Sequence, residues 1–367
     1  MRKTSLVLLA SALPLAVQAA NTEFTFGGYV KLDAMMSTYS DGPLTVGLGE
    51  DFYVPAAIPT GGDETTSFDM NAKSSRFNLK SVSTLDNGEK VTAFFEMDFL
   101  ASGQGTERIT NAYAPRLRHA FFNYGNLTFG QTWTTFMNTG ALPETVDFLG
   151  VSDGTVFARQ PQIRYTMGDF QFALENANTT LDGSGDTALT DDNTLPDIVA
   201  RYNMKMGDHA FTVSAIARQF ATQDGAGVDE SANGFGINVS GKIMVGGDDL
   251  KFSYTTGNVS RYVGLSQLPD AITSGSSIEP TDVTGAFVAY RHHWNSQMRS
   301  TLAYSMYDAE QDDGVERSSN STRLNLMYSP TKAVTYGVGV EYTMANIDKD
   351  GVEGDMSRIH FTAKYSF

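Results

Sequence analysis

Hydrophobic and polar residues alternate with a period of two along most of the chain after residue 20. Residues 334–343 show this clearly, with Val, Tyr, Val, Val and Tyr at one parity and Thr, Gly, Gly, Glu and Thr at the other. Such alternation is typical of β-strands with one apolar face. It predicts sixteen strands, at residues 23–37, 67–84, 89–100, 114–125, 126–136, 160–168, 169–178, 195–206, 209–220, 232–243, 248–258, 281–293, 297–309, 318–329, 333–346 and 355–367.

The lengths of the predicted strands and of their connections indicate a membrane protein. Most runs exceed the usual soluble strand of about 5–6 residues and match the roughly 9–11 residues of a tilted membrane-crossing strand. Short turns alternate with long loops at 38–66, 101–113, 137–159, 179–194, 221–231, 259–280, 310–317 and 347–354. We therefore predict an all-β fold, a transmembrane antiparallel β-barrel of 16 strands with short periplasmic turns and long extracellular loops.

The first twenty residues have the features of a secretory signal. Arg2 and Lys3 precede an apolar run from Leu6 to Val17, and Ala19 and Ala20 offer small residues for cleavage. We expect residues 1–20 to be a signal peptide and residues 21–367 to form one barrel domain in the outer membrane of a Gram-negative bacterium.

The acidic residues are concentrated in the long loops. The eight long loops hold 25 acidic and five basic residues, a net of −20, whereas the rest of the mature chain holds 17 acidic and 19 basic residues, a net of +2. This acidity argues against a nucleic-acid partner. The absence of cysteine excludes disulfides and thiolate chemistry. The acidic loops indicate either plain solvation or divalent-cation binding that bridges to lipopolysaccharide.

Basic residues within the predicted strands mostly occupy the polar parity. An Arg or Lys that faces lipid near mid-bilayer costs about 2–4 kcal/mol, so we expect these side chains in a water-filled lumen. Rings of Arg and Lys favour anions, although each base could simply balance a lumen acid. The predicted pore-lining, anion-binding residues are Arg76, Lys80, Arg116, Arg118, Arg164, Arg201, Arg299 and Arg323.

His119 does not fit the parity of its neighbours. It shares the apolar parity of Leu117 and Phe121, whereas Arg116 and Arg118 take the other. Either His119 points outward to a subunit contact, or a β-bulge shifts the register at this point.

Several motifs resemble the DcaP family of outer-membrane porins. They are Phe26-Gly27-Gly28-Tyr29-Val30-Lys31-Leu32-Asp33, Ser75-Arg76-Phe77, Phe94-Phe95-Glu96-Met97-Asp98-Phe99, Leu117-Arg118-His119-Ala120-Phe121, residues 129–136, residues 143–148 and residues 159–165. The resemblance covers about residues 24–165. It implies a homotrimeric porin of sixteen strands that takes up small anionic solutes, with dicarboxylates and aromatic acids as the suspected class.

A barrel of this size leaves an aqueous bore that something must narrow. The long loop at residues 137–159 is our candidate for an inward constriction loop, because in porins generally this loop folds inward and this chain is similar. Its acidic residues are Glu144, Asp147 and Asp153. Arg76, Arg116, Arg118 and Arg164 are the bases that we expect to face it.

The predicted function is passive, anion-preferring diffusion of small solutes, with outer-membrane lipid, lipopolysaccharide and other copies of the chain as partners. The alternative is a barrel enzyme or an adhesive surface protein without an open channel. We predict no catalytic residues, metal site or cofactor. The Gly150-Val151-Ser152-Asp153-Gly154 match to a nucleophile elbow lies in a loop with no helical period after it.

Overall fold

The computed structural model describes residues 21–45, 47–101, 109–182, 188–190, 192–223, 229–274, 277–330 and 336–367, and the expected signal peptide lies outside them. In these residues, no helix is long and apolar enough to span a membrane. The strands are β1 (Thr22–Tyr39), β2 (Thr65–Asn71), β3 (Arg76–Thr84), β4 (Lys90–Asp98), β5 (Arg116–Tyr124), β6 (Leu127–Trp133), β7 (Arg159–Met167), β8 (Phe170–Glu175), β9 (Thr179–Asp182), β10 (Ala188–Thr190), β11 (Asp197–Met206), β12 (His209–Gln223), β13 (Asp229–Val245), β14 (Asp248–Gly257), β15 (Ala271–Ser274), β16 (Ser277–Pro280), β17 (Asp282–His293), β18 (Met298–Glu310), β19 (Glu316–Tyr328), β20 (Tyr336–Lys349) and β21 (Val352–Ser366). Short 3-10 turns lie at Leu48–Glu50, Pro55–Ala57, Thr139–Ala141 and Ser260–Tyr262.

The large sheet closes on itself as an antiparallel barrel. Each barrel strand pairs with its sequence neighbour, and β1 pairs with β21 over Tyr29–Tyr39 and Met356–Ser366. β2 and β3 both pair with β1, one along its second half and the other along its first half, so they are two parts of one barrel strand. The wall therefore has 16 strands, and the predicted fold class is confirmed.

The second barrel strand differs from its prediction as one run over residues 67–84. Residues 72–75 leave the ladder between β2 and β3. Ser74 donates a hydrogen bond to the Asp33 carboxylate at 2.6 Å, and the Lys73 ammonium lies 2.7 Å from Asp51. The strand breaks here because these polar side chains find partners on the inner side of the wall.

Side chains alternate between the two faces of the wall. In β20, Val338, Val340, Tyr342 and Met344 are exposed on the outer face, while Glu341 between them is buried. The aromatic residues of the apolar parity also point outward, at Phe24, Phe26, Tyr202, Tyr304, Tyr328, Tyr342, Tyr365 and Phe367. This outer face has the apolar character of a lipid-facing barrel wall.

Strand length varies around the barrel. β6 and β8 have seven and six residues, whereas β12 and β13 have 15 and 17. On the long-loop side, β9, β10, β15 and β16 form a separate four-stranded sheet. The buried Arg218 guanidinium joins this sheet to the wall, because it pairs with Asp270 next to β15 and with Asp197 at the start of β11.

Candidate functional site

The segment at residues 137–159, called the inner segment below, touches the wall on opposite sides. Wall side chains hold its backbone at three points: Arg201 of β11 donates to the Met137 carbonyl at 2.7 Å, Lys251 of β14 to the Leu142 carbonyl at 2.6 Å, and Lys31 of β1 to the Val146 carbonyl at 2.9 Å. β1, β11 and β14 are well separated around the closed sheet. A single segment reaches all three only by running through the barrel interior.

Glu144 binds the inner segment to β17 and β18. Its carboxylate accepts from the Arg299 Nε at 2.6 Å and lies 3.2 Å from the Arg291 Nη1. Asn325 of β19 donates to the Glu144 carbonyl at 2.9 Å. Burial acts to raise the pKa of Glu144, but the two guanidiniums hold that pKa below its ordinary value. The Glu144 carboxylate is therefore ionised and fixes the inner segment to β17 and β18. It also neutralises part of the charge of Arg299.

Asp147 fixes the turn in the middle of the segment. One carboxylate oxygen accepts from the backbone of Leu149 and Gly150, and the other accepts from the Tyr53 amide at 2.9 Å. Burial acts to raise the pKa of Asp147, but the positive charges of Arg323 and Arg358 and the backbone hydrogen bond from Gly150 help to lower it overall. The side chain thus holds its own backbone turn and the loop that follows β1.

Asp153 is fully buried among neutral donors. Tyr53 donates to one oxygen at 2.8 Å, Ser319 donates to the same oxygen at 2.7 Å, and Ser321 donates to the other. Burial raises the pKa of Asp153 despite these bonds. The neighbouring Ser152 is also fully buried, and its hydroxyl donates to the Tyr53 carbonyl. Ser152 is thus a packing residue rather than the exposed nucleophile of an elbow.

Gly154 of the inner segment lies directly against the wall. A Cβ on Gly154 would come within 2.0 Å of the Ala286 carbonyl oxygen in β17. The Gly154 amide donates to Ser305 of β18 at 2.8 Å. Glycine is required here by close backbone approach.

The loop between β14 and β17 also lies inside the wall and packs on the inner segment. Phe157 donates its amide to the Tyr262 carbonyl at 2.7 Å, and Val156 forms an isolated bridge with Val263. Tyr262 and Val263 are fully buried in a cluster that includes Phe136 of the loop after β6. This contribution was not predicted from the sequence, because polarity and length do not distinguish a loop that packs inward from one that faces solvent.

Three of the predicted bases, Arg76, Arg116 and Arg118, converge around a pair of acids. Arg116 forms a bidentate salt bridge with Asp98, in which Nε and Nη2 each donate to one carboxylate oxygen at 2.8 Å. Arg118 bridges Glu96 and Asp98 at 2.8 and 2.9 Å, and Arg76 lies 3.5 Å from Glu96.

Arg159, at the start of β7, belongs to the same group, and the prediction of pore-lining residues omitted it. Its guanidinium carbon lies 4.6 Å from the Trp133 ring centre and 5.5 Å from that of Phe157. Its Nη1 is buried without a hydrogen-bond partner, and no carboxylate of the described residues pairs with it. We call Arg76, Arg116, Arg118 and Arg159 the basic cluster. With Glu96 and Asp98 it has four positive and two negative charges, a net of +2.

The remaining predicted bases are in different surroundings. Arg164 and Arg201 bond to neutral groups, Arg164 to the Trp133 carbonyl at 2.6 Å and Arg201 to the Met137 carbonyl. Arg323 is only 1% exposed and pairs with Glu341 at 3.1 Å. Lys80 is exposed and lies five residues before the turn at 85–88. The structure therefore does not bring Arg323 or Lys80 to the basic cluster.

A cavity of about 360 Å³ lies beside the inner segment, and we call it the inner cavity. Its charged lining comprises Lys31, Arg76, Arg299, Lys364, Glu144 and Asp147. Lys364 lies 4.1 Å from the Tyr29 ring centre, and it forms no ion pair with any described residue. Its polar parity in the last strand was the available sequence signal.

The position of His119 is explained by a β-bulge. The β4–β5 register pairs Glu96 with His119 but Met97 with Leu117, so Arg118 is the extra residue. Arg118 and His119 are consequently both buried, and His119 Nδ1 lies 3.0 Å from the Thr132 hydroxyl. The bulge is the second of the two alternatives for this residue.

A closed wall of sixteen antiparallel strands, an apolar outer face and charged groups around an inner segment define the class of outer-membrane channels. A model of the family described as DcaP outer membrane protein matches residues 11–367. The chain belongs to the DcaP family, and the resemblance found in its first half is confirmed and extends to its end. It is an outer-membrane porin.

Solved structures show the same fold. The outer membrane channel DcaP of Acinetobacter baumannii is 23% identical, with a TM-score of 0.77 over 95% of this chain and 98% of that one. An anion-selective porin from Comamonas acidovorans is 11% identical, with a TM-score of 0.57 over 95% and 100%. OmpT of Vibrio cholerae, in a trimer form, is 13% identical, with a TM-score of 0.54 over 94% and 99%. A search of curated proteins gave no significant match.

Across the described parts of the chain, no group of three or more His, Asp or Glu side chains is arranged to hold a metal ion.

Proposed function

We propose that this porin gives passive, anion-preferring diffusion of small solutes, with mono- and dicarboxylates, including aromatic acids, as the solute class. The observation that carries the proposal is the Arg159 guanidinium. Its carbon lies 4.6 and 5.5 Å from the centres of two aromatic rings, its Nη1 has no hydrogen-bond partner, and no carboxylate of the described residues pairs with it. A buried guanidinium nitrogen without a hydrogen-bond partner is costly, and a bound anion would supply that partner.

The electrostatic attraction is of the size that conduction requires. One charge at roughly 7 Å in water contributes about 0.6 kcal/mol, and a net charge of +2 about twice that before screening. Arginine presents several donors in a planar fork that fits a carboxylate. Such weak, repeated attraction lets an anion enter and also leave.

The arrangement of the bases supports a path along one side of the barrel. The basic cluster belongs to β3, β5 and β7, and Lys31 and Lys364 of the inner cavity belong to β1 and β21. The inner segment is also held from the other side, by Arg201 of β11 and Lys251 of β14, and the loop between β14 and β17 packs on it. The description of the Comamonas acidovorans porin as anion-selective agrees with a basic path of this kind.

The uneven wall supports a homotrimer. Strand β8 has six residues, about 20 Å when extended, which is too short for a tilted strand to cover the apolar band of about 25 Å on its own. On the outer face an apolar groove of about 470 Å³ is lined by Phe95, Phe122, Phe129 and small residues such as Gly130. We propose that other copies of the chain cover the part of the wall that has short strands and carries this groove.

The remaining surfaces suit the outer membrane. The outward aromatic and aliphatic side chains would contact lipid. We propose that residues 1–20 direct export, and that the acidic long loops form a solvated face towards the lipopolysaccharide layer.

Solute flux into liposomes tests the solute class. Purified protein is reconstituted, and the swelling rates for succinate and benzoate are compared with those for succinamide and benzamide, which have similar shapes without the charge. We expect the acids to enter faster. Equal or faster entry of the amides would contradict anion preference, and no flux of any solute would favour a barrel enzyme or an adhesive protein.

A further inference from the structure

The basic cluster and the inner cavity meet at two side chains. Arg76 of the wall belongs to the cluster and also lines the cavity. Phe148 of the inner segment lines the same cavity, and its ring centre lies 5.9 and 5.5 Å from the guanidinium carbons of Arg116 and Arg118. Arg76 and the Phe148 ring therefore lie where the two sites meet, on the path that the proposed function assigns to the solute.

The backbone on both sides of Phe148 is held in place. Val146 donates its amide to Glu341 and accepts from Lys31, at 3.0 and 2.9 Å. Asp147 accepts from the amides of Leu149 and Gly150. Because the turn is pinned at each end, the side chain of Phe148 is the part of this turn that is free to change position.

The ring is not locked in a closed core. Phe148 is half-buried, in contrast to Asp147 before it and Leu149 after it, which are both buried. Its ring neighbours are Phe52 at 5.2 Å and Phe157 at 5.9 Å between centres. The guanidiniums of Arg116 and Arg118 also attract the ring as cations. A half-buried ring held by such contacts can rotate about its side-chain bonds while the segment stays fixed.

We propose that the Phe148 ring is a side-chain gate between the basic cluster and the inner cavity. The inference rests on the proposed function, since it assumes that solutes follow this path. Arg159 and its neighbours attract the anion, whereas the ring limits how large a solute passes. Charge selection and size selection thus belong to different residues.

Single-channel recording of Phe148→Ala tests the gate. We expect the conductance to rise about two-fold or more, because an apolar constriction limits ion passage by its width. The anion preference, read from the zero-current potential, should remain, because the basic cluster is intact. Phe148→Leu should lie between the two proteins, and it replaces the alanine variant if that does not fold. Phe235→Ala removes the same ring from the outer face of β13 and should leave the conductance unchanged.

A cysteine at the same position gives a second measurement. The natural chain has no cysteine, so Phe148→Cys carries a unique thiol. We expect anionic methanethiosulfonate reagents to react faster than cationic ones and to lower the current as they restore bulk.

The two hypotheses fail in different ways. The gate alone would be overturned if the wild type conducts with anion preference but a folded Phe148→Ala has unchanged conductance. A Phe148→Cys that the reagents do not affect would have the same meaning. Cation preference or absent conductance in both the wild type and Phe148→Ala would overturn the proposed function.

Discussion

Replacing Arg159 with glutamine removes one charge from the path and keeps a polar side chain. The net charge of the basic cluster with its two acids falls from +2 to +1, because Asp98 and Glu96 already engage Arg116 and Arg118. The rings of Trp133 and Phe157 remain as the walls of the site.

The size of the effect follows from Coulomb's law. At roughly 7 Å, one charge is worth about 0.6 kcal/mol in water and about 2.4 kcal/mol at an effective dielectric of 20. Salt with a Debye length of about 8 Å reduces the smaller value further. We therefore expect Arg159→Gln to lower the anion permeability, and with it the anion-to-cation permeability ratio, by about two-fold to fifty-fold, since about 1.4 kcal/mol is a factor of ten.

The assay is the zero-current potential of reconstituted channels across a KCl gradient. Lys90→Gln is the matched control, because Lys90 carries the same charge on an exposed position next to the turn at 85–88. A folded Arg159→Gln with the same permeability ratio as wild type and Lys90→Gln would refute the assignment of selectivity to this guanidinium.

Other expected outcomes concern the inner segment and the long-loop sheet. Gly154→Ala places a Cβ against the Ala286 carbonyl, so we expect a lower melting temperature and noisier currents as the segment is displaced. The folded pKa of Asp147 lies below its ordinary value of about 4. Asp147 therefore contributes stability at pH values above about 4, and this stability is lost as the pH falls through the lower folded pKa. Acid unfolding of Asp147→Asn should therefore depend less on pH in that range. Arg218→Met leaves the Asp270 carboxylate buried and unpaired, so we expect a loss of about 3–5 kcal/mol in unfolding by denaturant.

Matched variants make these outcomes specific. Gly247→Ala adds the same methyl group where no atom lies within 4 Å, so its melting temperature should stay at the wild-type value. An unchanged melting temperature and current in Gly154→Ala would contradict the close contact of the inner segment with β17. A Lys349→Met variant removes a base that bonds only to carbonyl groups of the described residues, and it should cost much less stability than Arg218→Met.

The strands of the wall could be predicted from the sequence because the alternation that marks a strand involves only neighbouring residues. A period of two places each side chain on one face without knowledge of its partners, which is why all sixteen strand segments and the outward positions of Tyr342 and Phe361 followed from the pattern. The rule fails where a strand is interrupted. One extra residue at Arg118 turns His119 inward, and no feature of composition marks a bulge.

The candidate site could be predicted from the sequence only in part, because it depends on contacts between residues that are distant in the chain. The polar parity of Arg323 placed it correctly inside the wall, but the sequence does not show that Glu341 of the next strand buries and neutralises it. Arg159 was omitted for the opposite reason. It starts β7 at the end of a loop beside Trp133 of β6, and the sequence does not show that no carboxylate of the described residues pairs with it there.

The central claim is that the interior path attracts negatively charged solutes, and the zero-current potential of the wild-type channel in a KCl gradient tests it most directly. The account predicts a potential of the sign set by chloride, which shrinks as ionic strength rises and screens the cluster. A potential of the sign set by potassium would contradict it.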